Sequence, residues 1–391
     1  MKRILPTIVI AQFFCTSLWF AGNAVMGDIA LQFNLSPHYL AYLTNCVQAG
    51  FIIGTLLFAI LSIADRFSPV KIFFICACIA AAFNFLIGLS GLSLSFLFVC
   101  RFFTGFFLAG IYPIGMKIAA DHYEKGLGRS LGFLVGALVL GTAFPHFLKS
   151  GFASLPWKYV IFTTSALSLV GGALLLLWVP DGPYRKPGKQ LKLGAFRQSF
   201  KNNSFRSAAF GYFGHMWELY TFWVFVPVML TNYNYHYHAQ LNIPLLSFII
   251  IVVGSLSCVI SGIMASRFGT KRVATLALAI SGICCLVSPI LLATNSIAIL
   301  IMFLLVWSMA VIADSPLFST LVAQNVSLEL KGSSLTIVNC IGFTITIVSI
   351  QLMNMLLTKE NANYIFIILA LGPIFGLYSL LKKPTLSTKN T

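Results

Sequence analysis

Arg101, Glu218 and Asp314 are three charged side chains inside long apolar runs of the chain. Holding one charge at mid-bilayer depth costs about 2.5–3.5 kcal/mol on insertion scales, and charges kept at that depth mark solute or proton pathways. Arg101 offers five fixed donors and keeps its proton. It can bind an anion or hold a carboxyl group whose proton is labile. It can equally cap backbone carbonyls or pair permanently with an acid. Glu218 sits in Gly214-His215-Met216-Trp217-Glu218-Leu219-Tyr220. At i, i+3 spacing, His215 and Glu218 share a helix face. Burial disfavours the charged form of a carboxyl, and histidine titrates near neutral pH. The two therefore read as a proton-coupling pair, or as a neutral hydrogen-bonded pair that stabilises a helix interface. Asp314 precedes Ser315-Pro316. A proline inside a helix frees a carbonyl and bends the chain, and broken helices at membrane depth line cavities. Asp314 reads as a cation or proton site at such a bend, or as a side chain bonded to Ser315 or Ser319. Trp19, Trp217, Tyr220 and Trp223 are candidate aromatic walls. Gln12 and Asn23 are polar candidates on the first apolar run.

The elements that must carry these residues are set by composition. Of 391 residues, 59% are hydrophobic and 9% are charged, with a mean hydropathy of +0.92. Soluble domains carry roughly 25% charged residues, so this chain expects lipid as its solvent. About 20 apolar residues cross a bilayer as a helix. Twelve such runs begin near Leu5, Leu40, Ile72, Leu94, Ser130, Trp157, Phe205, Ile243, Val273, Ser296, Ser333 and Tyr364. The fold class is therefore an all-α membrane protein. The first run, after Lys2 and Arg3, is too long for a signal-peptide core and reads as an uncleaved span. With the N-terminus inside, nearly all of the 25 Lys and Arg fall on the inner side. The exceptions are Lys149, Lys158 and Lys359 outside, and Arg101 in the membrane. This asymmetry orients the chain with both termini cytoplasmic, and it accounts for the net charge of +16. The basic balance matches anionic lipid head groups and implies no nucleic-acid partner. The nine cysteines all fall in apolar runs without metal-ligand spacing, and read as small buried side chains.

A polar, basic stretch from Pro180 to Asn203 divides the twelve runs into six and six. The expected organisation is a six-helix bundle over 1–180, a cytoplasmic basic linker over 181–204 and a second bundle over 205–391. Leu191 to Phe200 reads as a plain linker or as an amphipathic helix on the inner leaflet. The halves echo each other. Ala64-Asp65-Arg66-Phe67-Ser68-Pro69-Val70-Lys71 follows the second run, and a stretch from Gly262 through Arg267 and Gly269 to Lys271-Arg272 follows the eighth. A basic loop at the same place in each half signals a duplicated unit.

These loops resemble the inner-loop motif of the major facilitator superfamily. The second loop matches it at Gly262, Arg267, Gly269, Lys271 and Arg272, with Ser266 where the family has Asp; the first matches at Asp65 and Arg66. The run Arg101-Phe102-Phe103-Thr104-Gly105, continuing through Gly110, Tyr112, Pro113 and Gly115, resembles the family's fourth-helix motif. Gly132, Gly136, Gly141 and Pro145 are similar to its fifth-helix glycine-and-proline motif, without the Gly-Pro pair. Stretches such as WFAGNAV and GHMWELY resemble a bacterial branch grouped with nitrate/nitrite porters, yet the second and eighth runs lack that branch's arginine pair. The resemblance implies two pseudo-symmetric six-helix bundles and a cavity lined by the first, fourth, seventh and tenth helices. Arg101, Glu218 and Asp314 then face one passage, and Asp65 is a conformational gate with Arg66, Arg267, Lys271 and Arg272 as partners.

The expected function is a secondary active transporter of the cytoplasmic (inner) membrane. It moves a small polar or amphipathic solute by alternating access with proton coupling, as a monomer and without a cofactor. A nucleotide-binding Gly-x-x-x-x-Gly-Lys run is absent from the sequence, which points to a gradient as the energy source. The competing readings are a transport-inactive sensor, a channel on the same scaffold, or an inorganic anion such as nitrate or nitrite as the solute.

Overall fold

In the computed structural model, residues 3–35, 39–89, 93–123, 127–152, 154–185, 197, 199–327 and 330–382 are described. Most of the 191–200 segment, read above as a linker or amphipathic helix, lies outside them. The described residues contain helices and no strand. In hydrocarbon every backbone N–H and C=O must be paired, and an uninterrupted apolar run of about 20 residues achieves this as a helix.

Among the described residues, nine helices are long and apolar enough to cross a membrane. They are Tyr39–Ile60, Pro69–Ile87, Leu94–His122, Ser130–Gly151, Lys158–Trp178, Ile243–Phe268, Thr270–Leu292, Ile297–Gln324 and Lys331–Leu356. Three more complete the set of twelve. The first span is broken into Ile4–Thr16, Ala21–Ala24 and Met26–Phe33. The seventh runs Asn203–Tyr237, and the twelfth joins a 3-10 segment, Ile365–Ala370, to Leu371–Leu381. The seventh is buried on nearly every side, so its polar and aromatic residues face protein rather than lipid, and its composition is less apolar. Polar side chains cap several starts: Ser68 accepts from Lys71 N, Ser93 from Phe96 N, Asn202 from Ser204 N and Asn242 from Leu245 N.

The fourth and tenth spans hold the same place in the two halves and break alike. The fourth passes from Leu94–Leu108 to Tyr112–His122, with Pro113 opening the second piece. The tenth passes from Ile297–Ala313 to Ser315–Gln324, with Asp314 at the joint and Pro316 just after it. Proline in the first turn of a helix has no N–H to waste, and starts the second piece at low cost.

The second and fourth spans cross at glycines. A Cβ built on Gly105 would sit 1.9 Å from the Val47 carbonyl oxygen, and one on Gly50 would sit 2.0 Å from that of Phe102. Small residues let two backbones approach this closely in a membrane. The halves meet along two seams, the second span on the eleventh and the fifth on the eighth. Exchanging the halves maps one seam onto the other. Asn45 donates to Gln351 at 3.3 Å and Thr346 to Gln48 on the first seam. Ser150 lies 3.5 Å from Asn242, and Phe147 packs on Phe248, on the second. The end of the molecule carrying both inter-helix basic loops is called the basic end below.

Candidate functional site

The break in the first span falls at Ser17–Phe20, between its first two helical pieces. Leu18 and Trp19 therefore lose intrahelical partners for their carbonyls. Arg101 supplies them: Nη1 donates to Leu18 O at 3.2 Å and Nη2 to Trp19 O at 2.6 Å. Arg101 is buried at 1% exposure, yet it makes no ion pair with a carboxylate among the described residues. Arg101 thus caps two backbone carbonyls, and its Nε has no partner.

Glu218 is fully buried on the seventh span. Three donors reach it. Trp307 Nε1 donates to Oε1 at 2.6 Å, Cys285 Sγ to Oε1 at 3.2 Å and Ser281 Oγ to Oε2 at 3.0 Å. Ser281 and Cys285 come from the ninth span and Trp307 from the tenth. In each half, then, the fourth-position helix reaches the first-position helix: Arg101 to the Leu18 and Trp19 carbonyls, Trp307 to Glu218. His215 turns to another partner, its Nδ1 lying 2.7 Å from Asp314 Oδ1. The contact is at ion-pair distance but off the line of a hydrogen bond, and His215 Nε2 and Asp314 Oδ2 have no further partner.

The candidate residues fall into separate sets of contacts. The three intramembrane charges do not share one set of contacts: Arg101 is held by the first span, while Glu218 and Asp314 are held within the C-terminal six helices. His215 pairs with Asp314 and not with Glu218, because the two side chains leave the seventh span toward different neighbours. Trp217 does not join an aromatic wall with Tyr220; its Nε1 points to Ile368 O of the twelfth span at 3.4 Å, beside Gly372. Asn23 donates to Thr44 at 2.8 Å.

Trp19 and Tyr220 do meet. Their ring centroids are 5.8 Å apart, with Phe51 at 4.8 Å and Phe343 at 5.7 Å from Trp19. Phe20 and Trp223 join at 6.3 Å, and Tyr220 and Trp223 at 5.2 Å. Six rings from the first, second, seventh and eleventh spans thus close the centre between the halves, every one buried.

At the basic end, Asp65 pairs with Lys117 of the fourth span at 3.1 Å, and Lys117 also reaches Asp121 at 3.6 Å. Arg185 donates to the Asp65 and Phe67 carbonyls, and Ser68 to Asp181 at 2.8 Å. In this structure the partner of Asp65 is thus Lys117 rather than one of the expected gate residues. Arg66, Arg267, Lys271 and Arg272 are exposed and pair with no carboxylate among the described residues. Gly262 and Gly269 have open space around them, and Gly269 holds φ +91°. Ser266, standing where an Asp would supply the charge, bonds its own turn at Ile263 O. Lys117 and Asp65 are about a quarter exposed, 24% and 25%. Asp65→Asn is therefore expected to cost no more than about 1 kcal/mol, seen as a small fall in the thermal midpoint of the detergent-solubilised protein.

A sequence profile of the Major Facilitator Superfamily matches residues 8–350. The chain belongs to this superfamily. Its fold is the twelve-helix facilitator fold. Human MFSD10 (TETRAN), an organic anion transporter, superposes with a TM-score of 0.75 at 12% identity, over 97% of this chain and 99% of its own. The nucleoside transporter NupG, as its D323A mutant, gives 0.72 at 15% identity over 96% and 98%. A bacterial homologue of the human lysosomal transporter Spinster, inward-facing and occupied, gives 0.68 at 15% over 97% and 92%. By sequence, the facilitator is 27% identical to the MFS-type transporter acdC of Aspergillus candidus over 185 residues. That match spans 46% of this chain and 35% of acdC.

The sequence reading missed Trp307, Ser281, Cys285, Gln48 and Lys117. Trp307 could have been found, since it lies seven residues before Asp314 and so two turns away on the same helix face. Ser281 and Cys285, i and i+4 on the ninth span, are legible as a pair only once Glu218 is known to face that helix.

Proposed function

We propose that this facilitator is a proton-coupled secondary transporter that carries a small polar or amphipathic solute by alternating access. The two six-helix bodies, 1–180 and 205–391 joined by 181–204, rock about the aromatic cluster between them. The protein works as a monomer in the cytoplasmic membrane with both termini inside. The observation that carries the coupling is the environment of Glu218. Ser281 Oγ lies 3.0 Å from Glu218 Oε2 and 3.1 Å from the Leu278 carbonyl. When Glu218 is ionised, Ser281 donates to it. When Glu218 holds a proton, it donates to Ser281, whose own hydrogen turns to Leu278 O. A hydroxyl rotor serves both states, so the proton can come and go without leaving a buried polar group unpaired. The His215–Asp314 contact, with free atoms on both partners, is a second place where a proton can reside.

Alternating access is tested by spin-label distances in a cysteine-free background. Labels at Ser150 and Asn242 report one end, and labels at Arg66 and Arg267 the basic end. One distance is expected to lengthen as the other shortens when pH or solute changes. Two distances that stay fixed under every condition would speak for a static sensor. Trp307→Phe removes the shortest donor to Glu218 and is expected to slow pH-driven uptake about tenfold, the equivalent of about 1.4 kcal/mol.

A further inference from the structure

Several buried polar atoms at the centre of the molecule have no hydrogen-bond partner. Around the six-ring cluster they are Trp19 Nε1, Trp223 Nε1, Gln48 Nε2 and Arg101 Nε. Trp19 and Trp223 are 1% exposed, Gln48 is 0% and Arg101 is 1%. All four belong to one neighbourhood. Trp19 packs tilted against Tyr220, and Trp223 meets it edge-on. Gln48 precedes Phe51 by one turn and accepts from Thr346, one turn from Phe343. Arg101 bonds the carbonyl of Trp19 itself. Every one of the four atoms is an N–H donor.

Buried donors without acceptors are rare in folded proteins because each keeps the full cost of lost hydration. Asn45 Oδ1, farther along the same seam, and Gln12 Oε1 are unpartnered acceptors, but a ligand that meets the four atoms at the cluster itself must supply acceptors. The charge balance points the same way. The Arg101 guanidinium is positive and is met by carbonyls alone, whereas the carboxyl groups of Glu218 and Asp314 are engaged within the C-terminal helices. A buried positive charge with no counter-ion is stabilised by an anion. The walls are rings, whose faces stack on a flat partner.

We propose that the carried solute is an aromatic carboxylate: a flat ring that enters between Trp19, Tyr220, Trp223 and Phe343 as these rings, in mutual contact here, move apart, with its carboxylate oxygens accepting from the indole, amide and Arg101 N–H groups. The inference rests on the transporter reading above and narrows its solute. It also supplies a reason for coupling solute to movement. Closing the halves on the cluster without the anion strands four donors, and closing with it does not.

The test is ligand affinity by tryptophan fluorescence, with the purified protein in lipid nanodiscs and three probes: benzoate, its cationic counterpart benzylamine, and the non-aromatic cyclohexanecarboxylate. Benzoate is expected to bind, cyclohexanecarboxylate about tenfold more weakly, and benzylamine not at all. Trp19→Phe and Trp223→Phe keep the ring and lose only the N–H, and each is expected to weaken benzoate five- to tenfold. Arg101→Lys keeps the charge, loses the fork, and is expected to weaken it more. Circular dichroism and gel-filtration profiles confirm that each variant folds. Preference for benzylamine, or unchanged benzoate affinity in both tryptophan variants, would overturn the assignment. If no probe binds while the spin-label distances still alternate with pH, the aromatic-carboxylate assignment is wrong and the transporter reading stands. If the distances also stay fixed, the transporter reading itself is wrong.

Discussion

Glu218→Gln is expected to reduce pH-driven uptake in proteoliposomes to background while solute counterflow at symmetric pH persists. The substitution is nearly isosteric. The amide oxygen still accepts from Trp307 and Cys285, and the amide nitrogen donates to Ser281, whose hydrogen returns to Leu278 O. Only the second amide hydrogen is left without a named acceptor, a cost of about 1–3 kcal/mol in an otherwise retained network, so the fold survives. The amide cannot exchange a proton at any pH the cell meets. If Glu218 carries the coupling, the protein becomes an uncoupled exchanger. Uptake that keeps its full dependence on the pH gradient would move the coupling to His215 and Asp314. Asp314→Asn, assayed the same way, separates those two outcomes. The sign is set by direction: an acidic outside drives uptake in the parent protein, and the variant should show equal rates with and without the gradient.

The second large effect is on assembly. Gly105→Leu is expected to remove most correctly folded protein, measured as the monodisperse fraction on gel filtration and as thermal midpoint. A Cβ at this position falls 1.9 Å from the Val47 carbonyl oxygen, and the clashing atom is backbone, which cannot rotate away. The second span must shift bodily, carrying Asn45 and Gln48 off the eleventh span. Overpacking a tight contact costs about 1–3 kcal/mol, and more where the backbone must move. Gly262→Ala is the matched comparison. It is a glycine of the family loop motif with nothing within 4 Å of its Cβ position, and it is expected to leave both measurements unchanged.

The contrast between those two glycines shows what could be read in advance. Twelve helices were legible because a bilayer demands about 20 apolar residues for each crossing, and the basic loops added the duplication. The positions of Arg101, Glu218 and Asp314 on the fourth, seventh and tenth spans were equally plain. Their partners were not. Helical spacing states which residues share a face, but not which neighbouring helix that face meets. His215 and Glu218 are three apart, yet one meets the tenth span at Asp314 and the other the ninth and tenth at Ser281, Cys285 and Trp307. Trp217 and Tyr220 share the same spacing and diverge more widely, one to the twelfth span and one to the centre. Lys117 was counted as a charge that orients the chain, because nothing local to it announces Asp65, which is 52 positions earlier. The first span was expected whole. Its opening at Ser17–Phe20 is stabilised by a side chain more than 80 residues away, and no window of local sequence contains that information.

That opening also bears on how the protein is made. The ribosome delivers Ser17–Phe20 long before Arg101 is synthesised. Until the later segment enters the bilayer, the Leu18 and Trp19 carbonyls would have only hydrocarbon to face, which is prohibitive. The nascent segment must therefore enter as an unbroken rod or wait inside the insertion machinery, and unwind only when its arginine arrives. Biogenesis of this half is thereby ordered in time, and chains truncated before the fourth crossing should keep a continuous first helix.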